Sequence, residues 1–145
     1  METLSLNNFI IDPKTSAAHQ EVKKLKEALL GEGFFLLIGH GIENEIIDKA
    51  YEQSETFHNL DDDDPRKQAT HYRYSHFGRG WSPCGEEPAY SAGTKATCSA
   101  FDMCYEIAEV DTEHENYGPN LWPLEMPEYR QAVYDYYIKF SELEK

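Results

Sequence analysis

Apolar residues recur at helical spacing in three stretches of the chain, which predicts three amphipathic helices. The first has an apolar stripe and then a glycine stop, formed by Ala18, Val22, Leu25, Leu29 and Gly31. The second starts near Asn44 and turns one face inward, formed by Ile46, Ile47, Ala50, Ser54 and Phe57. The third covers about residues 127–145, with a stripe of Tyr129, Val133, Tyr136, Tyr137, Phe140 and Leu143.

Shorter apolar runs predict strands between these helices. Residues 4–12, LSLNNFIID, are expected to form a strand that ends at Asp12, which would cap a helix opened by Pro13. The run FFLLI at residues 34–38 lies between glycines and does not alternate, so it predicts a strand buried on both faces. Weaker patterns predict strands around residues 72–77 and 101–107.

An acidic run at residues 61–64 directly precedes Pro65. Carboxylates at a helix start are stabilised by the positive end of the helix dipole. The rival interpretation is a calcium loop, but the alternating ligands and central glycine of such loops are absent. The run therefore predicts a solvated helix cap.

The last predicted helix shows no Gly, Asn or Pro stop before Lys145. We therefore expect the chain to be cut short within this helix and its apolar stripe to need a partner surface.

Charge and cysteine content narrow the class of function. A net charge of −14 at pH 7 argues against nucleic acid or an anionic membrane as the main partner. Cys84, Cys98 and Cys104 form no C-x-x-C pair, which indicates a reducing compartment and buried thiols. Because no signal peptide pattern and no apolar run of about 20 residues occurs, we expect a cytoplasmic protein.

Histidines are the first candidates for chemistry. In the run GEGFFLLIGHGI, His40 follows a predicted strand and precedes Gly41, so we interpret it as a structural histidine that hydrogen-bonds backbone groups at a turn. His19 and Glu21 lie two apart in a predicted helix, where their side chains point roughly 200° from each other. They therefore cannot chelate one metal ion.

Other short patterns are equally weak evidence for a site. Arg73 and Ser75 match Arg-x-Ser on a predicted strand, for which a surface strand is the plainer interpretation. The spacing of His71, His76 and Cys84 matches no zinc site, which favours exposed or hydrogen-bonded loop histidines. In a polar loop, the carboxylates on either side of His114 are expected to raise the pKa of its imidazole.

Three ordered blocks together resemble the N-terminal region of the 2-oxoglutarate- and Fe(II)-dependent dioxygenases of the isopenicillin N synthase-like family. They are GEGFFLLIGHGI at residues 31–42, GRGWSPCGEE at 78–87, and CSAFDMCYEIA at 98–108 followed by GPNLWPLEMPEYRQAVYDYY at 118–137. The sequence departs from the family where Cys98 and Ser99 stand in place of the usual Lys and Glu, and where Cys104 stands at a common Gly.

The resemblance implies an α+β fold, a single N-terminal-type domain over residues 1–145. Its helices and short strands would flank a double-stranded β-helix (jelly-roll) oxygenase core that is largely missing from this chain. Such enzymes hold Fe(II) with a His-x-Asp and a distal His, and 2-oxoglutarate with an Arg-x-Ser, all downstream of the matched region. We expect both cofactors in the complete enzyme. We expect this chain alone to bind neither, to contain no catalytic residue and to be inactive.

The resemblance also places two segments beside the substrate pocket, with Arg79, Trp81, Phe101 and Met103 as the candidate residues. On an extended segment, Arg79 would meet an anionic group and Trp81 an apolar one, and Phe101, Met103 and Tyr105 would share a face. The alternative is that Trp81 and Phe101 fill the core. Trp122, between two prolines, is expected to pack where the last helix meets the body.

The leading hypothesis is therefore the N-terminal portion of an oxygenase that hydroxylates or desaturates a small molecule. The missing C-terminal barrel, or a partner chain, would then pack on the last helix. The alternatives are a stand-alone binding or interaction module and one part of a split enzyme.

Overall fold

The computed structural model describes residues 1–87, 93–107 and 118–143. It divides the chain into two units, Met1–Glu43 and Asn44–Lys145. The first contains β1 (Thr3–Ser5), α1 (Asn7–Ile11), α2 (Ser16–Leu30) and β2 (Leu36–Ile38). The second contains α3 (Asn44–His58), α4 (Pro65–Gln68), a 3-10 helix (Tyr72–Tyr74), β3 (Gly80–Ser82), β4 (Ala100–Asp102) and α5 (Pro127–Glu142). Helices with a few short strands give the expected α+β class.

In the first unit, β1 and β2 pair in parallel, with Leu4 opposite Leu37. The strand predicted at residues 34–38 is thus confirmed in its C-terminal part. Its predicted burial on both faces is wrong, because Leu36 is 50% and Ile38 53% exposed. Within the described part of this unit the sheet has only two strands, so these side chains are not covered.

The strand predicted over residues 4–12 is shorter than expected. It ends at Ser5, and the chain then turns into α1, because the amides of Phe9 and Ile10 both donate to the carbonyl of Leu6. The predicted cap is also wrong. Asp12 accepts from the Lys14 amide in a turn, and it is the Thr15 hydroxyl that caps α2, by accepting from the Ala18 amide at 3.1 Å. The short apolar run did not distinguish helix from strand.

α2 ends at Gly31 and buries Ala18 as predicted, but Val22, Leu25 and Leu29 of the predicted stripe are not buried. Ala18, Glu21 and Ala28 are buried, whereas Val22 is 43% and Leu29 53% exposed. The Glu21 carboxylate accepts from the Ser5 amide at 3.0 Å, and this bond turns the face that carries Glu21 toward β1.

In the second unit, α3 and α5 pack against each other. Both helices lie where their apolar spacing predicted, and α3 buries Ala50 and Phe57 as expected. α5 buries Tyr129 and Val133, whereas Phe140 at the end of its stripe is 49% exposed. The buried core of this unit is formed by Phe57, Trp81, Met126, Tyr129 and Val133. α3 thus covers part of the apolar stripe of α5, so this part of the stripe has a partner surface in the same chain.

The link after α3 begins as the acidic run predicted. Asp64 caps α4 by accepting from the Arg66 amide at 2.9 Å, and Pro65 opens the helix. The next prediction is wrong, since residues 72–74 form a 3-10 helix rather than a strand. His71 caps this helix through its Nδ1 atom, which accepts from the Arg73 amide, and the bent backbone does not place Arg73 and Ser75 on one strand face.

The hairpin of β3 and β4 is antiparallel, with Trp81 opposite Phe101. The strand predicted at residues 101–107 is confirmed only at its start, because β4 ends at Asp102. All three cysteines are exposed, which corrects their predicted burial. Cys84 lies in the turn after β3, closed by the Glu86 amide, and the other two flank β4.

No helix in the described part of the chain is both long and apolar enough to cross a bilayer. The interpretation of His114 concerns a residue outside the described ranges.

Candidate functional site

Trp81 and Phe101 meet on the core face of the hairpin. Trp81 is fully buried, and its indole Nε1 donates to Ser99 Oγ at 2.9 Å. The Phe101 ring packs edge-on against Phe57 at 5.4 Å, and Met103 packs against the same core. The hairpin therefore brings the pocket candidates Trp81, Phe101 and Met103 together. They pack into or against the core, as the alternative interpretation of Trp81 and Phe101 predicted.

Arg79 is also buried, with only 3% of its surface exposed. Its NH1 atom donates to the Gly118 carbonyl and to Asn120 Oδ1, and its guanidinium lies 5.5 Å from the centre of the Phe77 ring. These contacts are with groups of this chain, and they join the start of β3 to the segment that leads into α5. Tyr105, in contrast, is 60% exposed.

The segment before α5 is held by one carboxylate. Glu106 Oε2 accepts from Trp122 Nε1 at 2.7 Å and from Asn120 Nδ2 at 3.0 Å. The Trp122 ring also lies 6.5 Å from Tyr129 of α5. Trp122 therefore packs where α5 meets the body, as predicted.

The other face of the hairpin carries polar groups. Strand side chains alternate between faces, and because Trp81 and Phe101 point to the core, Ser82 and Asp102 point away from it. They line a cleft of about 140 Å³ together with other residues of the 3-10 helix and of the turns on either side of β3. Among the described residues, the cleft is lined by Tyr72, Gly78, Ser82, Glu86, Glu87 and Asp102.

Two of the three carboxylates of this cleft, Glu86 and Glu87, have a hydroxyl donor beside them. The Ser82 hydroxyl donates to Glu87 Oε1 at 2.7 Å. The hydrogen bond with Glu86 raises the pKa of the Tyr72 hydroxyl, because the phenol proton is held by the carboxylate. Partial burial, and then the charge of Glu87, raise the pKa of Asp102.

Next to the cleft, His71 has 1% of its surface exposed. Its Nδ1 accepts from the Arg73 amide, so its Nε2 carries the proton in the neutral ring. Nε2 lies 3.5 Å from Glu86 Oε2, and this buried atom has no hydrogen-bond partner among the described residues. Burial, and then the charge of Arg73, lower the pKa of His71.

The sequence patterns did not single out this cleft. The register of β3 and β4 places Ser82 and Asp102 on one face, and the 3-10 helix and the turn after β3 add Tyr72 and Glu87. A signal was available in part, because any hairpin that buries Trp81 and Phe101 must turn Ser82 and Asp102 to the opposite face.

Of the histidines considered above, His40 has the structural role predicted for it. Its Nδ1 accepts from the Ile42 amide at 3.1 Å, and a glycine with positive φ lies on each side. The His19–Glu21 pair lies in α2 as predicted, where Glu21 bonds the Ser5 amide.

The described residues do not fit an iron site. Across residues 1–87, 93–107 and 118–143, no group of three or more His, Cys, Asp or Glu side chains is arranged to hold a metal ion. In the Arg-x-Ser match at residues 73–75, the Arg73 side chain is exposed, and Ser75 Oγ accepts a hydrogen bond from the Phe77 amide at 3.1 Å.

Comparison with known proteins gives a consistent family. The chain is 28% identical over 132 residues to azadirone synthase LFS of Melia azedarach, a match that covers 88% of this chain and 39% of the relative. It is 24% identical to a 2-oxoglutarate-dependent dioxygenase of Didymella fabae and 26% identical to the 2-oxoglutarate-dependent dioxygenase caaD of Aspergillus niger. Each of these two matches covers 97% of this chain and 44% of the relative.

The chain thus spans less than half the length of these curated relatives. The family described as non-haem dioxygenase in morphine synthesis N-terminal matches residues 2–125, which include the hairpin and the cleft. This chain belongs to that family, the N-terminal region of the non-haem, 2-oxoglutarate-dependent dioxygenases.

Proposed function

We propose that this chain is the N-terminal portion of a cytoplasmic Fe(II)- and 2-oxoglutarate-dependent oxygenase that hydroxylates or desaturates a small molecule. The family match over residues 2–125 is the observation that carries the proposal. Two relatives named as 2-oxoglutarate-dependent dioxygenases support it. When bound, iron and 2-oxoglutarate supply the chemistry by which dioxygen oxidises the substrate. In this proposal, the residues that bind them belong to the complete enzyme and lie outside the described residues.

In this role the chain helps to shape the substrate pocket. Phe101 and Met103 are only partly buried and retain surface for a ligand. Arg79 and Trp81 are buried, so we propose that they support the pocket wall from its core side and do not contact the substrate. Trp81 fixes β3 against the core, and Arg79 fixes the approach to α5 through Gly118 and Asn120.

One observation favours the alternative of an interaction module. α2 presents an apolar stripe formed by Val22, Leu25, Leu29 and Leu30, of which all but Leu25 are exposed. In the oxygenase proposal, the remaining polypeptide or a partner chain would cover apolar surface of this kind, including the exposed end of α5.

Succinate formation tests the proposal. The 145-residue chain and a hybrid, in which it replaces the N-terminal region of the Didymella fabae relative, are each given Fe(II), ascorbate, 2-oxoglutarate and dioxygen. We expect no succinate from the chain alone and iron-dependent succinate from the hybrid. A folded hybrid without turnover would contradict the proposal, and turnover by the short chain would contradict the placement of the ligands.

A further inference from the structure

We propose that the cleft between the 3-10 helix and the β3–β4 hairpin binds an organic cation, a primary ammonium or a guanidinium group, through the carboxylates of Glu86, Glu87 and Asp102. The inference does not depend on the oxygenase assignment, because it concerns binding by this chain alone.

The charge of the cleft is the first observation. Three of its six lining residues are carboxylates, and no lysine or arginine is among the lining residues that the structure describes. Arg73 acts electrostatically on Tyr72 and His71 from the adjoining helix but does not line the cleft. Carboxylates gathered without a counter-charge repel one another, so a bound cation would stabilise the group.

The second observation is the buried donor beside Glu86. His71 is buried to 99% of its surface, and its Nε2 faces the Glu86 carboxylate at 3.5 Å without a hydrogen bond. Buried polar atoms are nearly always paired, so an exception in this position calls for an explanation. A small movement of Glu86 on binding would bring the carboxylate within bonding distance of this donor. The Ser82 hydroxyl already holds Glu87 from the wall.

The geometry favours an organic cation over a metal ion. The carboxylates line a cleft of about 140 Å³, several times the roughly 30 Å³ that one water occupies in the liquid. Among the described residues they are not arranged as metal ligands. An ammonium group offers three donors and a guanidinium five, which suits several separated acceptors around one cavity.

The test is a titration of the 145-residue chain with n-butylammonium and with methylguanidinium, followed by amide NMR. Saturable binding is expected in the millimolar range that suits so small a ligand, with the largest shifts at Gly78, Ser82, Glu87 and Asp102. Potassium chloride at equal ionic strength is the control for charge alone. Shifts elsewhere in the chain, or equal shifts with potassium, would overturn the proposal without any variant.

Two isosteric variants test the carboxylates. Glu87→Gln and Asp102→Asn should each weaken binding by about tenfold, the usual effect of losing a charged hydrogen-bond partner. Glu52→Gln, an exposed change of the same charge on α3, should leave the affinity unchanged. Equal affinity in all three variants would overturn the proposal.

Peptide probes separate the two sources of such a cation. Acetyl-Gly-Lys-Gly-amide and acetyl-Gly-Arg-Gly-amide are titrated beside the free amines. Tighter binding of a peptide would assign the cleft to a basic side chain of a polypeptide, and equal or tighter binding of the free amine would assign it to a small molecule. Failure of every probe to bind would refute the inference and leave the oxygenase proposal unaffected.

Discussion

The ammonium nitrogen of Lys67 lies 4.9 Å from the centre of the Trp81 ring, and both side chains are almost completely buried. The same nitrogen donates to the carbonyls of His58 and Leu60, at 3.1 and 2.9 Å, and to Asp62 Oδ1 at 2.9 Å. One buried cation therefore satisfies carbonyls at the end of α3 and covers the indole at the centre of the core.

Replacing Lys67 with methionine should lower the free energy of unfolding by about 3 kcal/mol, because buried carbonyls lose their donor. Urea denaturation measures the change. The control is Lys23→Met on α2, whose exposed side chain should contribute less than about 0.5 kcal/mol. Similar values for the two variants would contradict a special role for Lys67.

Ser99 links α3 to the hairpin. Its hydroxyl accepts from Trp81 Nε1 at 2.9 Å and lies 3.0 Å from His58 Nδ1, to which it is free to donate. Ser99→Ala leaves the buried indole N–H unpaired, so we expect a loss of about 2 kcal/mol in the free energy of unfolding. Thr56→Ala, which removes an exposed hydroxyl bond to Glu52, should cost no more than about 0.5 kcal/mol. A near-neutral Ser99→Ala would show that water replaces the hydroxyl.

Two nearby glycines make a matched pair. Both have positive φ, 67° at Gly78 and 111° at Gly80, but a Cβ at Gly80 would collide with the Thr70 carbonyl while one at Gly78 meets open space. Gly80→Ala should therefore cost about 3 kcal/mol or more, and Gly78→Ala about 1 kcal/mol. Thermal and urea unfolding of the two variants, compared directly, test whether the backbone contact or the dihedral angle decides the cost.

Asp64 should make stability depend on pH. The guanidinium and backbone amide of Arg66 lower the pKa of Asp64 from its ordinary 3.8 to about 2. A depressed carboxyl pKa stabilises the fold above about pH 3.8, and this contribution is lost as the pH falls from 3.8 toward 2.

The isosteric variant Asp64→Asn keeps an N-cap acceptor but cannot ionise. It should be less stable than the parent chain at pH 7, and the difference should shrink steadily as the pH falls from 3.8 toward 2. Urea titrations across this range measure it, with Asp63→Asn, an exposed neighbour in the same acidic run, as the control. A difference that persists unchanged at pH 2 would exclude the ionised carboxylate as its cause.

What the sequence determined by itself was local. The apolar spacing of α3 and α5 located both helices, and residues within a few positions of one another produced the Gly31 stop, the Asp64 cap and the His40 turn. Short-range hydrogen bonds and helical periodicity depend on neighbours in the chain, so these features could be predicted. The ordered motifs predicted the family for the same reason, since each motif is a run of neighbouring residues.

Only the tertiary structure decided which residues of α2 are buried and which polar groups meet. The buried face of α2 follows from the bond between Glu21 and Ser5, and the burial of Lys67 follows from carbonyls and a ring elsewhere in the chain. The cleft exists because the pairing of Trp81 with Phe101 on the core face leaves Ser82 and Asp102 on the opposite face. The contacts of Glu21 with Ser5, of Lys67 with Trp81 and of β3 with β4 each join separate elements of the fold, and no periodicity along the chain predicts them.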